Sequence, residues 1–289
     1  MTERSRERLL VVLFVAHLAA LVFGLIGLLI MLPNPDLWVG DPNAVRVFDF
    51  SMEYAGSIHI LLGAAAMFMF GVFAIGWRKT LIFAVVSCSL SLSSELIGTG
   101  TGWPFGNYAY TDFLGTKVMG RVPYTIPFSW FYMGLAAYIM GAVVAKQLKV
   151  RNLAVWSSLL GATFLTVWDL VLDPAMASET LRIKFWVWED GGAYYGMPFK
   201  NLIGWSVTGL LFMAISRIFW RDDIHMERLP WLPAGVYLAN LAFAVVISAN
   251  VGLWVPILLA LALGAIPTVV IWGKSGPAFL SRRRKLAHA

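Results

Sequence analysis

Charge is what this chain has least of. Only 13% of its 289 residues are Asp, Glu, Lys or Arg, while 59% are hydrophobic and the mean hydropathy is +0.74. A soluble domain carries roughly 25% charged residues. Half that share cannot cover a water-facing surface, so the missing contact is with lipid. Cysteine is scarce too: Cys88 stands alone inside an apolar run, which excludes disulfides and thiolate metal sites. The four histidines, His17, His59, His225 and His288, are isolated from one another, which argues against the clustered ligands of a membrane di-iron hydroxylase. No lysine lies within a late apolar run, which argues against a retinal Schiff base. The net charge of +6 does not point to nucleic acid. Its basic residues sit in short connections and the C-terminal tail, where they orient a membrane protein and meet anionic lipid heads.

Runs of about 20 apolar residues recur along the whole length, the signature of spanning helices. The expected fold is all-α and polytopic, a single integral membrane domain over residues 1–289. About eight spans are expected, at residues 9–32, 54–76, 80–98, 124–145, 153–173, 200–220, 232–250 and 253–273. The first run follows Arg4, Arg6 and Arg8 but is 24 residues long. A signal core has about 7–15 residues and a small-residue cleavage pattern, so this run is expected to stay as a span. With the N-terminus inside, 16 of the 22 Lys and Arg fall on inner segments, including Arg282-Arg283-Arg284-Lys285. Eight spans with both termini cytoplasmic therefore satisfy the positive-inside rule. The expected location is a bacterial plasma membrane.

The connections expected outside, residues 33–53, 99–123 and 174–199, are long and rich in Gly, Pro, Trp and Tyr. Long loops with their own chemistry are where function tends to sit. Glu95 comes just before the second of them. Ser87, Ser91 and Glu95 are spaced by four and share one helix face, as do Thr166, Asp169 and Asp173 on span five. An acidic residue at a helix centre costs about 2.5–3.5 kcal/mol on insertion scales, less towards the interface. Three at one membrane depth call for an explanation. One is structural: they pair with Arg121, Arg182 or Lys184, or cap helix ends. The other is a site. Trp103, Phe105, Tyr108, Tyr110, Trp130, Trp188 and Trp205 gather on or beside two of the long loops, more than a symmetric interfacial belt would put there. That excess favours an aromatic-walled pocket, with Asn201 and Trp205 brought to the same rim.

Other motifs carry less. Gly98-x-Gly100-x-Gly102 follows a membrane helix rather than a strand, so it is no dinucleotide fingerprint. Asp169 and Asp173 form the DxxxD used by membrane prenyltransferases, but no second such motif is found and Leu165 stands where Asn would be expected. His59 is expected to be a packed, hydrogen-bonded histidine, with a proton relay as the alternative.

Across roughly residues 54–220 the sequence resembles the membrane-bound carotenoid 1,2-hydratases of the CruF type. The resemblance rests on Glu95-Leu-Ile-Gly98, on Gly102-Trp-Pro-Phe-Gly-Asn-Tyr-Ala-Tyr110 and on Pro123-Tyr-Thr-Ile-Pro-Phe-Ser-Trp130. It continues through Trp168-Asp169-Leu-Val-Leu-Asp173-Pro174, Tyr195-Gly-Met-Pro198 and Asn201-Leu-Ile-Gly-Trp205, while spans one, seven and eight add little. It implies addition of water across the terminal C1=C2 bond of an acyclic ψ-end, giving a tertiary alcohol without cofactor or metal. The implied partners are a lipid-dissolved carotenoid, water and membrane lipids, with other enzymes of carotenoid synthesis as further candidates.

Our own reading of the residues assigns the roles. Glu95 or Asp173 is the expected proton donor, with Asp169 holding the water or the donor. Trp103, Phe105, Tyr108, Tyr110, Trp130, Trp188, Asn201 and Trp205 are expected to bind substrate, the rings steadying a cation. A prenyltransferase or carotenoid cyclase, or a carotenoid-binding protein without catalysis, remains the alternative.

Overall fold

The computed structural model describes residues 1–275, with 221, 225 and 227 left aside. His225, His288 and the tail cluster from Arg282 to Lys285 thus lie outside the described residues. Among the described residues, eight helices are long and apolar enough to cross a membrane. They are α1 Glu3–Met31, α2 Pro42–Ala74, α3 Trp77–Thr101, α4 Ile126–Gln147, α5 Leu153–Met176, α6 Phe199–Phe219, α7 Trp231–Asn250 and α8 Trp254–Lys274. The last turns of α1, Gly27–Met31, and the middle of α8, Ala260–Ala265, widen into π-helix.

Several boundaries differ from the hydropathy reading, and two of them bear on the site. Helix α2 begins at Pro42, not near 54, so half of the expected first loop is helical. Asp41 caps it by accepting from the Asn43 N–H at 2.8 Å, and Pro42 takes the first position, where no N–H is needed. Arg46, Asp49 and Glu53 had masked this turn-by-turn extension. Helix α3 runs on to Thr101, which places Gly98 and Gly100 inside the helix. Gly102 ends it in the left-handed conformation, its N–H donating to the Gly98 carbonyl at 2.8 Å.

Helix α4 is the central pillar. It packs on α2, α3, α5, α6 and α7 and is buried almost all round. Its contact with α5 is the most intimate: a Cβ on Gly141 would come within 2.6 Å of both the Gly161 nitrogen and the Ser157 carbonyl. Small residues that let backbones approach are the usual currency of helix packing in lipid.

The long connections are not plain loops. Strand β1 (Tyr108–Tyr110) is followed by β2 (Lys117–Val118) and β3 (Val122–Pro123), which pair with each other. Strand β4 (Trp186–Trp188) returns to pair antiparallel with β1, setting Tyr108 opposite Trp188 and Tyr110 opposite Trp186. An all-helical reading gave no hint of this ribbon. Its strands are three residues each and far apart in sequence. The pairing fastens the α3–α4 connection to the α5–α6 connection over the ends of α3 and α5.

Candidate active site

Helices α3 and α5 bring their carboxyl groups to that end of the bundle. Ser87, Ser91 and Glu95 are all buried, as the spacing by four requires of one inward face. Glu95 is 2% exposed, Asp169 1% and Asp173 4%. All three line a cavity of about 70 Å³ closed by the ribbon above and by α2, α4, α6 and α7 at the sides.

The two acidic sites are held differently. Glu95 is held by donors alone: the Tyr108 and Tyr110 hydroxyls donate to Oε2, the latter at 3.0 Å, and Trp130 Nε1 donates to Oε1 at 3.0 Å. Three donors on a carboxylate offset part of the cost of its burial through hydrogen bonds rather than a counter-ion. Asp169 and Asp173 converge on a single group. The amide Nδ2 of Asn201 donates to Oδ2 of Asp169 at 2.9 Å and to Oδ2 of Asp173, and contacts Met197 Sδ at 3.1 Å.

Basic partners do not account for the three acids. The cavity lining contains no Lys or Arg. Lys184 pairs instead with Glu179 at 2.5 Å and Lys117 with Asp112 at 2.7 Å. Arg121 stands beside Gly100, so close that a Cβ there would meet its guanidinium at 2.5 Å.

Aromatic rings form the walls. Trp130 and Trp205 stack face to face, centroids 3.8 Å apart at 16°, and Trp168 meets Trp205 edge-on at 5.8 Å. Tyr108 lies 5.1 Å from Trp188, while Phe105 lies 6.2 Å from both Tyr108 and Trp130. Phe105 is gripped between helices: a Cβ at Gly98 would reach its ring at 2.7 Å and one at Gly204 at 2.4 Å. Burial first, and then the neighbouring Glu95 charge, push the Tyr108 and Tyr110 hydroxyls well above the usual phenol range. Both therefore stay protonated and remain donors through alkaline conditions. The indole N–H groups of Trp168 and Trp188 are buried with no hydrogen-bond partner.

Of the residues singled out in the sequence, Glu95, Phe105, Tyr108, Tyr110, Trp130, Asp169, Asp173, Trp188, Asn201 and Trp205 meet at this one cavity. Trp103 does not. It is exposed and outside the lining, because Gly102 turns the chain outward there before Phe105 turns back in. A second correction concerns the histidines. His17 and His59 are not isolated: their rings lie 6.4 Å apart, and His17 Nδ1 is 2.9 Å from the His59 carbonyl. His17 Nε2 meets Asn240 Nδ2 at 3.0 Å, and the Tyr132 hydroxyl donates to Asn240 Oδ1 at 2.8 Å. His59, Tyr132 and Asn240 reach the cavity from α2, α4 and α7 and had not been connected with it. Each is a lone polar group in an apolar run, and that alone was the available signal.

Fold and cavity define the class: a polytopic helical membrane protein with carboxyl groups gathered in an aromatic-walled chamber inside the bundle. Residues 55–267 match the family described as carotenoid biosynthesis protein, and the chain belongs to that family. The match takes in α7 and reaches α8, further than the sequence motifs alone had suggested. Bisanhydrobacterioruberin hydratase of Haloarcula japonica is 28% identical over 253 residues, covering 85% of this chain and 80% of that one. No solved structure matches.

Proposed function

We propose that the protein is a carotenoid hydratase, adding water across the terminal C1=C2 double bond of an acyclic carotenoid to give a tertiary alcohol. One observation carries the reading: three buried carboxyl groups without basic partners share an apolar chamber walled by indole and phenol rings. The likeness to a named hydratase over most of both chains supports it.

The chemistry assigns each group a task. The Asp169–Asp173 pair holds the proton. Asp173 gives it to C2 of the alkene, whose π electrons form the new C–H bond and leave a tertiary cation at C1. Glu95 is the anion facing that cation, steadied by its three donors. Trp130 and Trp205 offer ring faces, worth about 2 kcal/mol or more to a desolvated cation. Water attacks C1, and its surplus proton returns to the aspartate pair, so the cycle consumes only alkene and water. The unpartnered Trp168 and Trp188 N–H groups are suited to orient that water. A cavity needs about 10–15 Å³ per water, so about 70 Å³ has room for one beside a small branched end group.

The prenyltransferase reading has less support. The Asn201 amide set between the two aspartates suits a shared proton better than Mg²⁺, which takes oxygen ligands. We place both termini in the cytoplasm, as the basic residues require, in a single membrane domain of a bacterial plasma membrane, where other enzymes of carotenoid synthesis can pass substrate on.

Membranes containing the protein, given an acyclic carotenoid in ¹⁸O-labelled water, are expected to yield a product heavier by one labelled water. An isomer of unchanged mass would mean a cyclase. Recovery of unaltered carotenoid, bound to the protein, would mean a carrier. The ring faces have their own test: Trp205→Phe is expected to retain most turnover and Trp205→Ala to lose about 30-fold, the equivalent of one desolvated cation–π contact. Equal losses would reduce Trp205 to a packing residue.

A further inference from the structure

The chamber is too small for more than one end of a carotenoid, and the rest of the molecule needs a place. A second cavity of about 280 Å³ adjoins it. The two share His59, Leu114, Met176 and Phe243 in their linings, so these residues form the neck between them. The second cavity runs between the C-terminal half of α1 and the N-terminal half of α2, roofed by Phe113, Ile183 and Phe185. Only Ser51 and His59 bring polar side chains to it, and it contains no charged residue. The Ser51 hydroxyl already donates to the Val47 carbonyl at 2.5 Å, leaving the walls almost without free donors. Phe23, Ile26 and Val47 line it and are exposed, and α1 is the least buried of the spans, so the cavity is placed for access from lipid between α1 and α2.

We infer that this second cavity holds the polyene chain of the substrate, with the end group passed through the neck to the acids and the far end left in lipid. The inference rests on the hydratase reading for the identity of the occupant. A long hydrocarbon fits a site almost without free donors, because a buried polar group left unpaired would cost more than it could return. Access from the bilayer also fits a molecule that does not enter water.

Two glycines make the test clean. A Cβ at Gly27 would meet nothing within 4 Å, and one at Gly24 only the Phe243 ring at 3.7 Å. Both are helical, so Gly27→Leu and Gly24→Leu improve helix propensity while filling the cavity. Purified protein in lipid nanodiscs would be given a long acyclic carotenoid and a short acyclic isoprenoid bearing the same end group. The ratio of kcat/KM for the long over the short substrate is expected to fall about tenfold or more in each variant, mainly through KM, as when a pocket loses room for a few methylenes. An unchanged ratio in both variants overturns the inference, as does an equal loss on both substrates. If the unaltered protein hydrates neither, the hydratase reading falls, and carotenoid quenching of tryptophan fluorescence decides alone. Weaker quenching in the two variants then supports the chain site, and identical titrations refute it.

Discussion

Asp173→Asn is expected to lower turnover about 10³-fold, within the roughly 10²–10⁴-fold that general acid catalysis supplies. The replacement keeps the volume and a hydrogen-bonding group beside Asn201, but an amide has no proton acid enough to give to carbon. Insertion into the membrane and the detergent-solubilised size profile should be unchanged, since no ion pair is lost. Asp169→Asn should lose less, because it removes the partner that stores the proton and leaves the donor in place. Rates are best compared on one substrate over a range of pH. Turnover within tenfold of the unaltered protein for Asp173→Asn would move the donor's role to Glu95.

Glu95→Gln tests the other acid, with a comparable loss expected for a different reason. A unit anion about 4 Å from a cation contributes about 4 kcal/mol at an effective dielectric constant of about 20, or about 10³ in rate. The cation exists only in and near the transition state, so kcat and kcat/KM should fall together while substrate affinity stays. The variant also sets a donor NH₂ against either the Tyr108 and Tyr110 hydroxyls or the Trp130 indole, its remaining oxygen accepting from the other side. Tyr108→Phe separates the two effects: it removes one hydrogen bond but keeps the charge, and should cost far less than Glu95→Gln. If both variants lose alike, the glutamate serves to anchor the ribbon and takes no part in steadying charge.

Much of this architecture was legible because lipid imposes simple rules on sequence. Each span must be apolar for its full length, so eight runs gave eight helices, and the spacing of Ser87, Ser91 and Glu95 gave one buried face. The acids stood out because carboxyl groups are costly in hydrocarbon, and the aromatics because they were crowded into two connections. What stayed hidden depends on distance in sequence. Nothing local says that Tyr108 will face Trp188, or that Asn240 will reach His17 across more than two hundred residues. Nor could hydropathy tell the enclosed α4 from the lipid-facing α1, since a core position and a lipid position ask for the same side chains. Trp103 failed for a local reason: one left-handed glycine reverses the chain before the inward-facing residues begin. The start of α2 was missed although its Asp-Pro cap was in plain sight, because charge in the first turns resembles a loop when only hydropathy is weighed.

The enclosure of α4 also bears on how the chain is made. A span surrounded by its neighbours leaves the ribosome before three of them, α5, α6 and α7, have been synthesised. It must therefore wait at the insertion machinery, or lie provisionally against lipid with Tyr132, Tyr138 and its glycine notches uncovered, until the later helices arrive to close around it.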